Sequence, residues 1–371
     1  MTEKTLTPLL PPSNSLHLPL HLPFDLVVVI LCRLPVKFLL QLRCVCKSWN
    51  SLISEDSNFT RKHLQLSTSN LHRHHLNFIG NLSGPLDFPM SSVFNSVSTK
   101  HAMQLSYPPI ISAYSNKVTT CDGMLCFKVS HSLALLCNPS IRKYKIMPPF
   151  KTPGSPIFNL VYDRFTHNYK IIAVIFDSNN KNEVNIHALG TDYWRKIQDL
   201  PYNKIHRRPG TFVSDTVNWL VYDRSRATKV IVSLDLEKES YQTLCSPHDM
   251  QFNIFNTLGV LRDCLCILYH SHRHKFSDIW IMKEYGNEQS WTKLLSIPHM
   301  EDGIYYDSKA LYISKDDQLI LEFHLKKGRR KSLLIYDSKN NTSKISEIQN
   351  INNWMTSNIY VESLMSPFVK S

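Results

Sequence analysis

The sequence predicts a small all-α module followed by a large all-β domain, a β-propeller of five or six blades, with a β-sandwich as the alternative. Three observations carry this. Residues 22–66 place apolar side chains at helical spacing. After residue 70 the pattern changes to short β-branched and aromatic runs broken by Gly, Asn, Asp and Pro. Those runs recur about every 50 residues, the spacing of a four-stranded, kelch-like blade.

In LPFDLVVVILCRL, Pro23 suits a helix start and Asp25 suits the positive end of the helix dipole. Pro35 ends that helix, because the residue before proline avoids the α region. A second helix is expected to carry Leu39, Leu42, Cys46, Trp49 and Ile53 on one apolar stripe, with Arg43, Lys47 and Asn50 opposite. Residues 20–66 hold six Lys or Arg against three Asp or Glu, a net charge of +3. A module this small and apolar should lean on another surface.

Five segments then share one shape, an apolar strand, a polar turn and a second strand. They begin at Leu133, Val184, Ile231, Ile279 and Leu333, separated by 51, 47, 48 and 54 residues. Another strand pair precedes each, giving four strands per repeat. A stack of isolated hairpins would leave apolar faces uncovered, whereas blades around an axis bury both. NIYVESLM from Asn358 is expected to pair with LNFIG at Leu76 and close the ring. The organisation read from this is a flexible arm (1–19), the helical module (20–66), a linker and possible degenerate first blade (67–118), and the propeller (119–371).

Apolar content of 43% and charged content of 19% fit a folded globular chain of 371 residues. The apolar run DLVVVIL is too short to span a bilayer, so no membrane partner is expected. Residues 1–21 carry Lys4 as their only Lys or Arg and have no uninterrupted apolar core, which argues against a secretory signal. The nine cysteines are then expected as reduced thiols in the cytoplasm or nucleus. The net charge of +12 raises nucleic acid as a partner, but the basic residues are scattered and that reading ranks low. GxSxG, GxxxxGK, GxGxxG and HExxH are all absent, and no catalytic residue or cofactor is expected.

Several local features invite sharper readings. Cys32, Cys44 and Cys46 lack the CxxC spacing of a zinc site and read as packing residues. His270, His272 and His274 could chelate a metal on one strand face, yet Ser, Arg and Lys around them favour a solvated loop. LHRHHL at 71–76 reads as linker, so no metal site is expected. KKGRRK, Lys326 to Lys331, reads as a hairpin turn, with nuclear import as a second use. Trp194, Trp291, Tyr144 and Tyr241 occupy matching places in four repeats, which marks a blade-packing aromatic, and Trp219 reads as core.

The stretch Leu22 to Leu64, with its LP start, ILCRLPVK centre, RCVCKSW core and SLI end, resembles the plant F-box. The remainder is similar to the F-box-associated or kelch-like region that follows it in a large plant family, in CDGMLCF, LCNPSIRKYKIMP, YDRFTHNYKIIAV and YVESL. The resemblance implies a non-catalytic substrate receptor of an SCF ubiquitin ligase. Its F-box would dock on a Skp-type adaptor, and through it on cullin and RING subunits, while the propeller holds an unknown protein substrate. Leu22, Pro23, Leu31, Leu34, Pro35, Val36, Leu39 and Leu42 are the expected adaptor-facing residues, with Trp49 either anchoring the helices or joining that contact. Val29, Phe38 and Gln41 depart from the usual Glu, Ser and Arg of the family. A non-ligase scaffold and a pollen self-incompatibility receptor are the other roles the resemblance admits.

Overall fold

The computed structural model describes residues 22–368 apart from 81–84, 96–97, 100–102, 105–110, 112–116, 151–153, 177–181, 203–207, 227, 248–255, 272–275, 300–305, 325–330 and 349–353. The expected arm, 1–19, lies outside the described residues.

Four helices come first: α1 (Phe24–Leu31), α2 (Val36–Leu42), α3 (Lys47–Glu55) and α4 (Ser57–Thr68). Pro23 and Pro35 cap α1 and α2 from extended conformations, and the Asp56 carboxylate caps α4 by accepting the Phe59 amide at 2.8 Å. The single stripe expected from Leu39 to Ile53 is broken. Cys44 and Val45 donate to carbonyls three residues back, and Cys46 turns extended at φ −158°, ψ 166° to open α3. Cys32 is buried as expected of a packing residue, whereas Cys44 and Cys46 are exposed, because the turn lifts them off the helix face.

Blades 1 to 5 (118–146, 157–196, 211–245, 256–298 and 306–348) each contain four antiparallel strands in chain order, and blade 5 adds Ser98–Thr99 at its outer edge. Blade 6 takes His74–Gly80, Leu86–Pro89 and Met103–Gln104 from before blade 1, and its innermost strand, Trp354–Val361, from the far end of the chain. Leu76 faces Ile359 and Asn77 faces Asn358, so the ring closes as expected, with six blades.

An apolar cluster fills each gap between neighbouring blades. One cluster holds Leu136 of blade 1 with Ile171 of blade 2, another Val184 of blade 2 with Val232 of blade 3, and a third Ile231 of blade 3 with Ile267 of blade 4. Around the rest of the ring, clusters hold Leu268 with Phe323, Leu333 with Phe78, and Ile79 with Phe127. Both sheet faces are covered, which is why strands such as Ala134–Asn138 are buried at every residue instead of at alternate ones.

The repeated aromatic has a second task. The Trp194 indole donates to the Pro148 carbonyl at 3.0 Å, the Tyr241 hydroxyl to Gln198 at 2.9 Å, and the Trp291 indole to Cys245 at 3.1 Å. Each ties an outer strand to the end of the preceding blade. Tyr144 departs from this pattern: its outer strand is exposed nearly throughout, and the ring is 48% exposed. Trp219 is core, 3% exposed.

Two histidine readings are corrected. LHRHHL is a short 3-10 turn running into the first strand of blade 6, since its backbone pairs with Trp354–Val361. His270 lies buried in the strand Cys264–Ser271, with Nδ1 2.6 Å from the hydroxyl of its cross-strand neighbour Ser277; His272 and His274 fall outside the described residues. The strands flanking KKGRRK pair antiparallel, while Lys326 to Arg330 lie outside the described residues. Among the described residues no helix is long and apolar enough to cross a membrane.

Candidate functional site

The helical module has a filled side and an open side. Leu31, Cys32, Val36, Leu39, Leu52, Ile53 and Phe59 form its interior, with Leu364 from the end of the chain packed among them. Three expected docking residues, Leu31, Val36 and Leu39, are therefore buried at 2% exposure or less and occupied within the chain. Leu34, Pro35, Leu42 and Trp49 are half-buried at the edge, and Leu22 and Pro23 are exposed. Sequence reasoning passed over the residues that dominate the open side. Phe24, Leu26 and Ile30 on α1 and Phe38 on α2 are each about half exposed, and Val45 is 61% exposed. Leu26 and Ile30, four apart, share a helix face, a spacing that could have marked them.

The filled side rests on the propeller through residues far apart in sequence. The Glu362 carboxylate accepts the backbone N–H of Val36, at the start of α2, at 3.2 Å, and its other oxygen lies 3.2 Å from His75 Nε2. His75 Nδ1 lies 2.9 Å from the fully buried Asp87 carboxylate. Burial alone would lower the His75 pKa. Hydrogen bonds to Asp87 and Glu362 outweigh it and bring the imidazole up to about 9, so the ring stays cationic at neutral pH. Glu362 moves the other way, held below the usual carboxylate range by His75 and the Val36 amide against the effect of burial. Arg73 adds a bond to the Arg33 carbonyl in the module, and the Glu362 amide donates to the Arg73 carbonyl at 2.8 Å.

Four sequence phrases converge on this junction. Gly123 of CDGMLCF sits at φ +80°, where a Cβ would come within 2.4 Å of the Val361 carbonyl oxygen and Ser363 Oγ. Asn138 of LCNPSIRKYKIMP donates to the carbonyls of Ser363 at 3.0 Å and Met365 at 2.8 Å. In YDRFTHNYKIIAV, Tyr162 lies under the Arg61 guanidinium of α4 at 4.4 Å, Tyr169 donates to Asp122 at 2.9 Å, and Asp163 pairs with Lys170 at 2.6 Å. YVESL supplies Tyr360, Val361, Glu362, Ser363 and Leu364 themselves.

The innermost strands run side by side in one direction. Thr257 donates to the Ser308 carbonyl at 2.7 Å, and Cβ of a residue at 259 would contact the Ala310 carbonyl. Hairpin turns such as Asp122–Gly123 therefore gather at the end that carries the helices, and the strand starts gather at the opposite end. Along the axis lies a cavity of about 1050 Å³. Among the described residues no group of three His, Cys, Asp or Glu is placed to hold a metal ion.

With this geometry in hand, comparison with known families is direct. The F-box domain matches residues 19–61, and the F-box associated beta propeller domain matches residues 72–367. The chain belongs to the F-box-associated β-propeller family. The helical module is thus the F-box, and the junction joins it to its propeller. An F-box/kelch-repeat protein of Arabidopsis thaliana is 29% identical over 370 residues, covering 96% of this chain and 98% of that one. The F-box protein CPR1 of Arabidopsis thaliana is 25% identical over 343 residues, covering 82% and 80%. Among solved structures, YCF48 bound to D1 peptide superposes with a TM-score of 0.43 at 13% identity, covering 74% of this chain and 78% of that one.

Proposed function

We propose that the chain is the substrate receptor of an SCF-type ubiquitin ligase. The observation that carries this reading is the set of apolar side chains Phe24, Leu26, Ile30 and Phe38, each about half exposed on a module whose interior is already filled. A Skp-type adaptor covers exposed apolar residues of α1 and α2, and cullin and RING subunits follow through the adaptor. Leu22 and Pro23 are exposed beside them, Leu34, Pro35, Leu42 and Trp49 are half-buried, and Leu31, Val36 and Leu39 hold the two helices from the interior. Arg33, Lys37 and Lys47 are exposed as well and suit an acidic partner.

The chain's part in the reaction is placement. Holding a substrate lysine near a charged thioester raises the effective concentration of the reacting groups without any catalytic residue in this chain. A junction of buried ionic and hydrogen bonds keeps the propeller at a fixed attitude to the adaptor. The site of action is the cytoplasm, the nucleus or both.

Co-purification with a Skp-type adaptor tests the reading. The double variant Phe24→Asp, Ile30→Asp is expected to lose the adaptor while its thermal midpoint stays at the wild-type value, since neither side chain is in the interior. Retention of the adaptor at the wild-type level would overturn it.

A further inference from the structure

A second cavity, of about 520 Å³, opens where the F-box meets blade 1. Its size falls within the roughly 300–1,000 Å³ of small-molecule sites, and a cleft between two domains is a common place for them. Both units build it. Leu40 and Arg43 come from the end of α2, and Ser54 and Glu55 from the end of α3. Ile141 and Lys143 come from the turn into the outer strand of blade 1, Lys143–Ile146, while Leu364 and Phe368 follow the strand that closes the ring. The lining is divided by chemistry. Leu364 belongs to the apolar interior of the F-box, Leu40 and Ile141 pack against it, and Phe368 is 47% exposed. Arg43 from the F-box and Lys143 from the propeller supply the cations, and Glu55 supplies a carboxylate.

Arg43 is the informative residue. Its Nε is closed off from water, yet among the described residues it has no hydrogen-bond acceptor. Neither Arg43 nor Lys143 enters an ion pair among those residues, and Glu55 instead accepts from the Ser51 hydroxyl at 2.9 Å. A buried donor without an acceptor costs the free energy of its lost hydration, so an unsatisfied guanidinium N–H at a cavity wall favours a ligand that brings an acceptor. The guanidinium offers Nε–H and an Nη–H as a parallel pair, which matches the two oxygens of a carboxylate. Two cations and one carboxylate in the lining suit a single negative charge better than the near-double charge of a phosphate. The apolar walls then call for an uncharged body on the same molecule.

We propose that this cleft binds a small amphipathic carboxylic acid, its carboxylate on Arg43 and Lys143 and its apolar body against Ile141, Leu364 and Phe368. The Arg43 side chain turns to set its Nε–H and one Nη–H on the two oxygens, and Lys143 reaches the same carboxylate from blade 1. A ligand held by both units fastens the F-box to its propeller and stabilises the folded chain by mass action. Adaptor docking is not required, because the cleft lies between the F-box and blade 1.

Calorimetric titration of the full chain, free of adaptor, tests it, with octanoate as the probe and octanol as its uncharged counterpart. Saturable one-to-one binding of octanoate is expected, with octanol at least tenfold weaker, and saturation with octanoate is expected to raise the thermal midpoint. Arg43→Gln is expected to weaken octanoate tenfold or more and to lose that rise. Its midpoint without probe should stay at the wild-type value, since the Arg43 Nε bonds to nothing within the described chain. Lys143→Met, at an exposed residue, is expected to weaken octanoate as well and guards against a folding defect in the first variant. Ser54→Phe, which fills the cleft from α3 without altering charge, is expected to abolish binding, and Lys238→Ala, on an exposed turn of blade 3, to bind as wild type. No saturable binding, equal affinity for octanoate and octanol, full affinity in both Arg43→Gln and Lys143→Met, or an equal loss in Lys238→Ala would overturn the proposal. So would binding found only in a chain ending at Phe368, which would assign the cleft to residues 369–371.

Discussion

The two ends of the propeller are built on opposite plans. At the F-box end the turns are short, several residues have positive φ (Asp122, Gly123, Ser214, Asp215, Arg262 and Asp263), and side chains from blades 1, 2 and 6 lock onto the F-box and residues 360–365. At the opposite end cations collect around a cavity mouth. The phrases that gave the family away lie at the first end. The difference teaches that the recognisable signature of this chain is the fastening of the F-box to its propeller, while the opposite end carries no such signature.

Substitutions can break or sharpen that contrast. The largest effect is expected from Gly123→Ala, which combines positive-φ strain with a clash against the Val361 carbonyl oxygen. A loss of about 3 kcal/mol is expected in denaturant unfolding. Next, Glu362→Ala leaves the Val36 amide and the protonated His75 without their shared carboxylate. Because Glu362 is 20% exposed, the expected cost is about 2 kcal/mol, below the usual range for a fully buried pair. Proteolysis between α4 and blade 6 should quicken in the same variant.

The pH response has a defined sign. The His75 pKa is raised on folding, so its contribution is fully present below about pH 6.5 and is lost as pH rises through about 9. Stability measured from pH 6.5 to 9.5 should fall, and His75→Gln should flatten that part of the curve. The smallest effect belongs to the opposite end. Arg224→Ala, at an exposed turn, should change stability by less than about 0.5 kcal/mol. A loss there comparable to that of Glu362→Ala would remove the distinction between the ends.

Much of the fold was legible because it repeats. A period near 50 residues, a matched aromatic position and the pairing of LNFIG with NIYVESLM are patterns that a single chain displays. The break between α2 and α3 was not legible, since Arg43 to Cys46 contain neither Gly nor Pro and keep helical spacing. The charge on His75 was hidden for a different reason: Glu362, one of its two carboxylate partners, lies 287 residues away. On the docking surface, apolar residues at helical spacing were visible, but spacing alone could not say which face the propeller would cover. Leu31, Val36 and Leu39 went inward because Leu364 and Ile141 meet them there.

The strand Trp354–Val361 closes the ring, and the next three residues, Glu362 to Leu364, fasten the F-box. On a ribosome these residues emerge only after the F-box helices and five blades. A nascent chain can therefore present the F-box helices early, yet it fixes them to the ring only once residues 354–364 have emerged. A premature stop before residue 354 would remove the closing strand and the fastening together, leaving F-box helices tethered to an open ring.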